Sequence, residues 1–506
     1  MKCLKKYIVI LVFIFSQNLF AQPYLPINND FNYFIEEAAS NSVNFHSEIR
    51  PFNVSEIKID SSKTKTINYK SFEENRKTSL IPIFASDYSN STKNDFGSSI
   101  SAGASLKAIT KRWYLQVNLA ENLTRYPSYM NEKIDSNKII PHWGRYSAKF
   151  DNYYIYSAFT GILVYTPRNY ISMAVGYDKN FIGDGYRSML LSDNSAPYPF
   201  AKLTVNAWRI KYFAMLASFS DVNTSGKGIA LNQKYGIFHF FSINISKRLT
   251  LGFYENIIWR NSDSADYRGI EIAYLNPVIY YRPLEASINS PDNAAIGSSG
   301  KLRLWKKTFI YGQFFLDDLL VKEFFANHGW WGNKYGIQAG LKSFDAFGIQ
   351  DFYTQLEYNF ARPYTYSHES SLSNMGNLYQ PLTHPLGANF YELIQILRYG
   401  KDRWWLKLKA SEALYGDDDA SHVYGKNIYK SYNLRNSNFG NKTGQGVKTY
   451  LTNVETSFNY ILVPKWNMNL QAGYKLYSLR NNQTSILNNY IFIGLSTLLY
   501  NNETDY

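Results

Sequence analysis

The chain has 506 residues, of which 53 are basic and 40 are acidic, and its formal net charge is +13. An aromatic share of 17% accompanies a negative mean hydropathy, and no segment after the N-terminus approaches 18 unbroken apolar residues. These features exclude a helical membrane protein. The Lys and Arg residues are scattered along the chain, so the basic charge gives little support to nucleic-acid binding.

Residues 1–21 are predicted to be a secretory signal peptide. Three lysines precede an apolar core at residues 7–15, and the small residue Ala21 stands before the expected cleavage point. Removal of this segment leaves 50 basic and 40 acidic residues, a net charge of +10. It also removes Cys3, the single cysteine of the chain. The exported chain therefore has no disulfide, no thiolate metal site and no cysteine nucleophile.

Residues 22–96 are predicted to form a small periplasmic region of helical and irregular structure. Between Asn28 and Ser40, apolar residues recur at i, i+3, i+4 and i+7, namely Phe31, Phe34, Ile35 and Ala38. This spacing predicts one short amphipathic helix, with Asp30 available as its N-cap. The polar stretch from Ser55 to Thr92 has weak periodicity and is expected to be irregular.

Residues 97–500 alternate with period two, which is typical of strands with one apolar and one polar face. The clearest example is WNMNLQAGYKLY, residues 466–477. Many strands of about ten residues with aromatic ends favour an all-β transmembrane outer-membrane β-barrel over a secreted soluble β protein. About 18 antiparallel strands are predicted, starting near residues 97, 111, 151, 171, 201, 210, 235, 249, 270, 297, 307, 335, 351, 390, 403, 449, 466 and 489. Residues 501–506 are left as a C-terminal tail.

The connections between these strands predict how the barrel is oriented. Outer-membrane barrels keep short turns in the periplasm and long loops outside the cell. The turns near residues 400–403 and 463–465 are short, whereas residues 412–448 are long. The segment Arg362–Phe390, here called the mouth loop, is then extracellular and long enough to fold over or into the barrel mouth. The strand parity of residues 261–305, which three prolines interrupt, stays open.

Three blocks of sequence resemble a known family. They are NFIGDGYRSMLLSDNSAPYPFAKL (180–203), YLNPVIYYRPLEASINSPDNA (274–294), and RPYTYSH with HPLGANF in the mouth loop. Together they resemble the RemB gliding-motility proteins of Bacteroidota outer membranes. The first block also resembles the Wzi capsule-assembly family in its GxG turn, its serine-and-leucine strand and its S-[DN]-N-x-x-P-x-P tail; here these are Gly183 and Gly185, residues 188–192, and Asp193, Asn194, Pro197 and Pro199.

This resemblance implies an 18-stranded barrel with a small N-terminal helical region under it. It implies a role in gliding motility or in the organisation of a surface polysaccharide or adhesin, and no catalytic residues. The expected partners are the lipid of the outer membrane and either a cell-surface polysaccharide or a surface protein of the gliding machinery.

Two groups of residues are candidates for contact with a glycan or a protein partner. Asp184, Arg187 and Asp193 could form a charged lumen cluster that binds a hydroxyl-rich sugar, or an ion-pair ladder that only holds lumen side chains in place. The mouth loop offers aromatic faces and planar polar groups on which sugar rings can stack. Its candidates are Arg362, Tyr364, Tyr366, His368, His384 and Asn389, and Tyr379 and Asn374 add a ring and an amide to the same surface. The alternative for this loop is a lid that merely blocks the pore.

No cofactor, metal site or catalytic group is predicted. His368 and His384 lack a carboxylate motif at ligand spacing, and residues 416–419 lack the frame of a calcium loop, so a solvated acidic loop is expected there. The remaining histidines have no nearby serine motif of a hydrolase. A solute pore remains as a second alternative, which conductance would distinguish.

Overall fold

The computed structural model describes residues 23–40, 42, 45–57, 78–91, 95–223, 230–261, 267–276, 292–497, 500, 501 and 505. The predicted signal peptide lies outside the described residues. So does most of the block at 274–294 that carries part of the family resemblance.

Eighteen long antiparallel strands of the described chain form one closed barrel. In chain order they are β1 (Ser79–Ser91), β2 (Phe96–Ile109), β3 (Trp113–Arg125), β4 (Tyr153–Arg168), β5 (Ile171–Asp178), β6 (Tyr198–Ala207), β7 (Ile210–Asn223), β8 (Ala230–Asn244), β9 (Leu249–Arg260), β10 (Asn293–Trp305), β11 (Thr308–Asp318), β12 (Lys334–Ser343), β13 (Phe352–Ala361), β14 (Phe390–Lys401), β15 (Trp404–Asp417), β16 (Val447–Val463), β17 (Met468–Arg480) and β18 (Ser485–Thr497). Strand β18 pairs with β1, with Ser496 opposite Ala85, and closes the barrel. The predicted fold class and number of strands are confirmed.

The barrel begins earlier than the sequence predicts. Strand β1 starts at Ser79, inside the stretch expected to be irregular, and not near residue 97. Its outward face carries Leu80, Phe84 and Tyr88, which are exposed as lipid-facing side chains should be. Serines and an asparagine between and after these positions weaken the alternation of apolar and polar residues, so the period of two is hard to detect in the sequence.

The prediction of a strand near residue 270 is wrong. Residues Ile272–Leu275 form one 3₁₀ turn. Among the described residues, β10 is the next barrel strand after β9, and the two pair directly, with Leu249 opposite Leu302. This pairing resolves the strand parity that the prolines left open. The prediction contained one strand too many near residue 270 and lacked β1, so the predicted number of 18 strands is still correct.

Apolar side chains cover the outside of the barrel, and polar side chains line the inside. Along β4, buried residues alternate with exposed Ile155, Phe159 and Leu163. Inward-facing lysines of other strands are buried, among them Lys107, Lys202, Lys211, Lys234, Lys342 and Lys409. This distribution is the reverse of that in a water-soluble protein and suits a bilayer, where a closed barrel also satisfies every strand edge. The protein is an outer-membrane β-barrel.

The two ends of the barrel differ in the length of their connections. At one end the connections are short: residues 110–112, 169–170, 208–209, 245–248, 306–307, 344–351, 402–403 and 464–467. Most of those at the other end are longer: residues 126–152, 179–197, 261–292, 319–333, 362–389 and 418–446. The long end faces the cell exterior by the rule for such barrels. Strand β18 runs toward the periplasmic end, so it leaves the C-terminus there.

The predicted N-terminal helix is confirmed as α1, Asn29–Ala39. Its N-cap is Asn28 and not Asp30, because Asn28 Oδ1 accepts a hydrogen bond from the backbone N–H of Phe31 at 3.0 Å. Asp30 instead pairs with Arg398 and Lys407 of the barrel wall. No helix among the described residues combines the length and the apolar content needed to cross a membrane.

Helix α1 closes the periplasmic end of the barrel from below. Its buried residues Phe31 and Ile35 belong to a cluster that includes Trp405 and Ile461, near the periplasmic turns of β15 and β16. The Arg398 guanidinium lies 4.3 Å from the centre of the Phe34 ring, above the same helix. Apolar packing and cation–π contact therefore hold α1 against the barrel.

Candidate functional site

Two segments of chain meet inside the barrel and form what we call the plug. One is residues 45–57, which enter from the periplasmic end, and the other is the inner loop, residues 179–197, which descends from the extracellular end. Ile49–Arg50 pairs with Phe181–Ile182 as a two-residue antiparallel ladder. The backbone N–H of Gly183 donates to the carbonyl of Glu48 at 2.7 Å. The lumen is thus filled by one joined structure and not by two independent loops.

The GxG motif allows the inner loop to approach the barrel wall. Gly183 has a φ of +151°, and a Cβ there would lie 2.4 Å from Gln313 Nε2. A Cβ on Gly185 would lie 2.6 Å from the side chains of both Gln338 and Glu357. The two glycines, which the sequence predicts to form a tight turn, are therefore also needed because a side chain at either position would clash with the barrel wall.

Asp184 lies at the centre of a buried charge cluster. Its carboxylate accepts hydrogen bonds from Ser47 Oγ at 2.5 Å and from Lys301 Nζ at 3.2 Å. Lys342 Nζ donates to the Asp184 carbonyl at 2.8 Å and pairs with Glu36 at 2.6 Å. Burial would raise the pKa of Asp184, but the charges of Lys301 and Lys342 outweigh burial and hold this pKa well below its usual range. Asp184 is therefore an ionised anchor between the two halves of the plug.

Glu48 is the second carboxyl of this cluster, and its surroundings favour the protonated form. It accepts hydrogen bonds from Ser242 Oγ at 2.9 Å and Ser299 Oγ at 2.5 Å. Burial, and next the negative charge of Asp184, raise the pKa of Glu48 to about 7. Burial lowers the pKa of neighbouring His46 to about 3, so this histidine is neutral. The cluster therefore holds one firmly ionised carboxylate and one that titrates near neutral pH.

The variant Glu48→Gln is expected to make resistance to urea less dependent on pH. Glu48 holds its proton more tightly in the folded chain, so its stabilising contribution is present below pH 4.5 and is lost as the pH rises from 4.5 to about 7. A glutamine is neutral at every pH, so the variant should gain stability over the wild type at about pH 8 and much less at about pH 5. Urea unfolding of detergent-solubilised protein measures this. Exposed Glu132→Gln is the control, and an equal difference at both pH values contradicts the assignment.

Arg187 belongs to a different network, which includes the C-terminal tail. Its Nη2 lies 3.0 Å from the Asp505 carboxylate, and Lys409 Nζ lies 2.9 Å from the same group. The backbone N–H groups of Tyr186 and Arg187 donate to the Glu357 carboxylate at 2.7 and 3.0 Å. Burial would raise the pKa of Asp505, but Lys409 and then Arg187 hold it well below its usual range. Asp505 therefore lies buried in the lumen and is bound there.

Asp184, Arg187 and Asp193, which the sequence grouped as one possible cluster, contact different partners, and their role in binding a sugar stays a prediction. Asp184 binds lysines of the wall, Arg187 binds the tail, and Asp193 accepts a hydrogen bond from Asn501 Nδ2 at 2.8 Å. The residues are near one another in sequence, but the inner loop turns each toward a different part of the barrel. Their contacts match the alternative of an ion-pair ladder that holds the lumen together.

The mouth loop enters the barrel, and four of its six candidate side chains are buried. Tyr366 Oη donates to the carbonyl of Met189 in the inner loop at 3.0 Å. Tyr364 Oη donates to the carbonyl of Val423 at 2.9 Å. These two tyrosines therefore join the mouth loop to the inner loop and to the loop between β15 and β16.

The other two buried candidates, His384 and Asn389, are also bound within the protein. His384 Nε2 lies 2.6 Å from the Glu392 carboxylate, and Asn389 Nδ2 donates to the carbonyl of Gly416 at 2.8 Å. Arg362 and His368 are partly exposed. In this conformation only these last two candidates can meet an external partner, so the predicted contact role of the loop stays a prediction.

An open cleft lies on the extracellular side, between the β3–β4 connection, the inner loop and the mouth loop. This outer cleft encloses about 600 Å³, including its opening to solvent. It is lined by Lys133, Asn137, Ile139, Pro141, His142, Arg187, Asn194, Tyr379, Gln380, Pro381 and Pro385. Hydroxyl-rich or anionic ligands suit such a lining of amides, cations and one aromatic ring.

Hydrogen bonds fix the polar groups of the outer cleft in place. Gln380 Oε1 accepts from the backbone N–H of His142 at 2.5 Å, and the His142 ring bonds the carbonyl of Asn194 at 2.9 Å. Gln380 Nε2 is buried and has no hydrogen-bond partner among the described residues. A ligand oxygen would satisfy this donor, which otherwise costs free energy.

Sequence reasoning identified only part of this cleft. Arg187 was a candidate, but Lys133, His142 and Gln380 were not. The cleft is made by three connections that are distant in the sequence, so no local motif brings these residues together. The sequence offers two signals for it, Asn194 in the S-[DN]-N tail of the inner loop and Tyr379 among the aromatic residues of the mouth loop.

Lysines pair with carboxylates in two other acidic groups of residues. Glu37, Asp345 and Asp351 come close enough to hold a metal ion, yet Lys307 pairs with Glu37 at 3.4 Å and with Asp345 at 2.5 Å. In the acidic loop, Lys426 pairs with Asp417 at 2.8 Å. These lysines already supply the positive charge that a cation would bring.

Neither a protein-family model nor a curated protein matches this sequence. Among solved structures, the chain is similar to Wzi from Escherichia coli, described as an outer-membrane protein involved in group 1 capsule assembly and as a carbohydrate-binding β-barrel. The identity is 12%, the match covers 94% of this chain and 100% of that chain, and the TM-score is 0.59. At this identity the similarity shows the fold alone.

Two weaker similarities are to the solved structures of OprD and OccAB2. OprD from Pseudomonas aeruginosa has 9% identity and a TM-score of 0.43, with 83% of this chain and 94% of that chain covered. OccAB2 from Acinetobacter baumannii has 8% identity and a TM-score of 0.44, with 83% and 97% covered. These scores are too low to carry an argument about function. None of the three structures is described as a gliding-motility protein.

Proposed function

We propose that the protein is a non-catalytic, plugged outer-membrane barrel that binds a cell-surface polysaccharide at the outer cleft. Through this attachment it supports gliding motility or the organisation of the surface coat. The observation that carries the proposal is the outer cleft, where Gln380 Nε2 is buried without a partner among the described residues.

The chemistry of the outer cleft suits a sugar chain. Tyr379 offers a ring face, and its own ring packs on Tyr429 with 5.1 Å between the ring centres. Asn194 and Gln380 offer amide groups, and Lys133 adds a positive charge that favours acidic sugars. Because hydrogen bonds already orient the amides of Asn194 and Gln380, these two side chains lose little entropy on binding.

The plug supports attachment over transport. Residues Met189, Leu190 and Leu191 of the inner loop are fully buried and pack with aromatic residues of the barrel wall. A barrel of this size without a plug encloses a water-filled channel. The solute-pore alternative therefore requires the plug to leave, and the contacts of Asp184 and Arg187 oppose that movement.

A hydrolase has weaker support. Among the described residues, His46 and Glu48 of the plug both contact Ser242 of strand β8, and all three side chains are buried. Ser242 donates its own hydrogen bond to Glu48 at 2.9 Å. A nucleophilic serine instead donates to the histidine, which the carboxylate orients.

The capsule-assembly alternative invokes the same kind of ligand. Wzi, with the same fold, is described as a carbohydrate-binding barrel. Gliding motility and capsule assembly differ in the process that the bound polysaccharide serves. Experiments on cells, and not on purified protein, are therefore needed to distinguish them.

Binding of surface polysaccharide by purified protein tests the proposal. The variant Gln380→Glu replaces the unpartnered donor by an acceptor of equal size, and Tyr379→Ala removes the ring face. Each is expected to weaken binding about 5- to 30-fold, since loss of one well-placed polar or stacking contact costs about 1–2 kcal/mol. Gln483→Glu, in the exposed β17–β18 turn, and Tyr267→Ala, 72% exposed in another extracellular loop, are the matched controls.

The same variants in place of the wild-type gene connect binding to the process. Loss of colony spreading with the coat retained supports gliding motility, and loss of the coat supports capsule assembly. Unchanged binding by both cleft variants, in protein whose folding heat-modifiable gel migration confirms, excludes the outer cleft as the site.

A further inference from the structure

A second cleft opens at the opposite, periplasmic end of the barrel. It lies between the C-terminal end of α1, the β8–β9 turn and the periplasmic ends of β10 and β12, and its volume is about 520 Å³, including its opening to solvent. Phe309 and Phe344 form apolar walls. We call it the periplasmic cleft, and it shares no lining residue with the outer cleft.

The periplasmic cleft carries more positive charge than its acidic groups can balance. Five basic side chains line it, namely Lys247, Arg248, Lys301, Arg303 and Lys342, against the single carboxylate of Glu36. Glu36 already pairs with Arg50 at 2.7 Å and with Lys342 at 2.6 Å. Lys301 is bound by Asp184.

Three of the basic groups, those of Lys247, Arg248 and Arg303, have no ion pair among the described residues. Arg248 and Arg303 are held side by side, because the backbone N–H of Arg303 donates to the carbonyl of Arg248 at 2.7 Å. Like charges repel at such positions unless an anion lies between them.

Two donors at the inner wall of this cleft also lack partners. Arg303 Nη2 donates to the carbonyl of Ser40, but Arg303 Nε is buried and makes no hydrogen bond to the described residues. Ser40 Oγ is buried and likewise unpartnered within the described chain. Buried donors of this kind are normally satisfied. A guanidinium, a hydroxyl and flanking cations at one wall match the oxygens of a tetrahedral oxyanion.

We propose that the periplasmic cleft binds a phosphate group, through Arg303, Arg248 and Ser40. Phosphate is favoured over a carboxylate because its several oxygens and higher charge can engage both arginines and the hydroxyl together. The phosphate belongs either to a soluble periplasmic molecule or to the headgroup of an inner-leaflet phospholipid. This inference does not depend on glycan binding at the outer cleft.

Titration of the full-length protein with inorganic phosphate, in a maltoside detergent without phosphate or sulfate, tests the site. Saturable binding of one phosphate per chain is expected. Both Arg303→Gln and Arg248→Gln should weaken it about tenfold or more, because each removes charge-assisted hydrogen bonds. Lys306→Gln is the matched control, since Lys306 is exposed on the adjacent β10–β11 turn and does not line the cleft.

Arg248 is exposed on its turn, so its variant is informative even if Arg303→Gln does not fold. Equal weakening by Lys306→Gln, or no saturable binding by the wild type, overturns the proposal. Native mass spectrometry from phosphatidylglycerol nanodiscs distinguishes the two sources. Retention of one lipid by the wild type and not by Arg248→Gln assigns a phospholipid headgroup, whereas phosphate binding without lipid retention assigns a soluble phosphate compound.

Discussion

Replacing Asp184 with alanine is expected to lower the free energy of unfolding by about 3 kcal/mol. The change leaves Lys301 and Lys342 in the lumen without the carboxylate that both contact, and breaking a buried ion pair from one side costs about 3–5 kcal/mol. We expect the lower end of this free-energy range because Glu48 can replace part of the lost negative charge. Asp184 raises the pKa of Glu48, so Glu48 ionises more readily once Asp184 is removed. Urea unfolding followed by tryptophan fluorescence measures the difference.

A surface ion pair provides the matched control for this prediction. Asp135 pairs with Lys149 at 2.7 Å, with the two side chains 40% and 29% exposed. Asp135→Ala should therefore change the free energy of unfolding by about 1 kcal/mol or less. If the Asp184 and Asp135 variants lose the same small amount, the central cluster does not hold the plug in place.

The barrel could be predicted from sequence because its pattern is local. Each membrane strand must alternate between lipid and lumen, so residues such as Ile155, Phe159 and Leu163 reveal the period without knowledge of their neighbours. Strand β1 was missed where polar residues weaken this period. The alternating apolar residues Ile270, Ile272 and Tyr274 resemble a strand, but the described residues 267–276 do not form one.

The interior could not be predicted in the same way, because its contacts join residues far apart in sequence. Arg187 binds Asp505 across 318 positions, and Ser47 binds Asp184 across 137. Nothing in the local sequence indicates that Asp505 lies in the lumen. Sequence proximity suggested instead that Asp184, Arg187 and Asp193 act together.

The mouth loop shows a second limit of sequence reasoning. Tyr364 and Tyr366 have the composition of a sugar-stacking surface, but both rings are buried. A loop pattern does not show which way a side chain faces. Here the inner loop supplies a hydrogen-bond acceptor and the wall supplies Phe315, whose ring centre lies 4.7 Å from that of Tyr366. Burial of apolar ring area against these partners favours the inward conformation.

Removing the inner loop and the mouth loop together is expected to convert a closed barrel into an ion-conducting channel. Tyr198 pairs directly with Asp178, and Phe390 pairs directly with Ala361, so a short glycine–serine turn can join each strand pair in place of residues 180–196 and 363–388. With these segments gone, residues 45–57 lose the ladder to Phe181–Ile182 that holds them in the lumen.

A barrel of this strand number then encloses water. Planar-bilayer recordings should show discrete current steps for this variant and none for the wild type. The control shortens an exposed extracellular segment, residues 433–438, by the same kind of turn, and it should stay silent because these residues lie outside the lumen. Current steps from the wild type would mean that the plug leaves a path for ions, and the solute-pore alternative would then replace attachment as the better explanation of the fold.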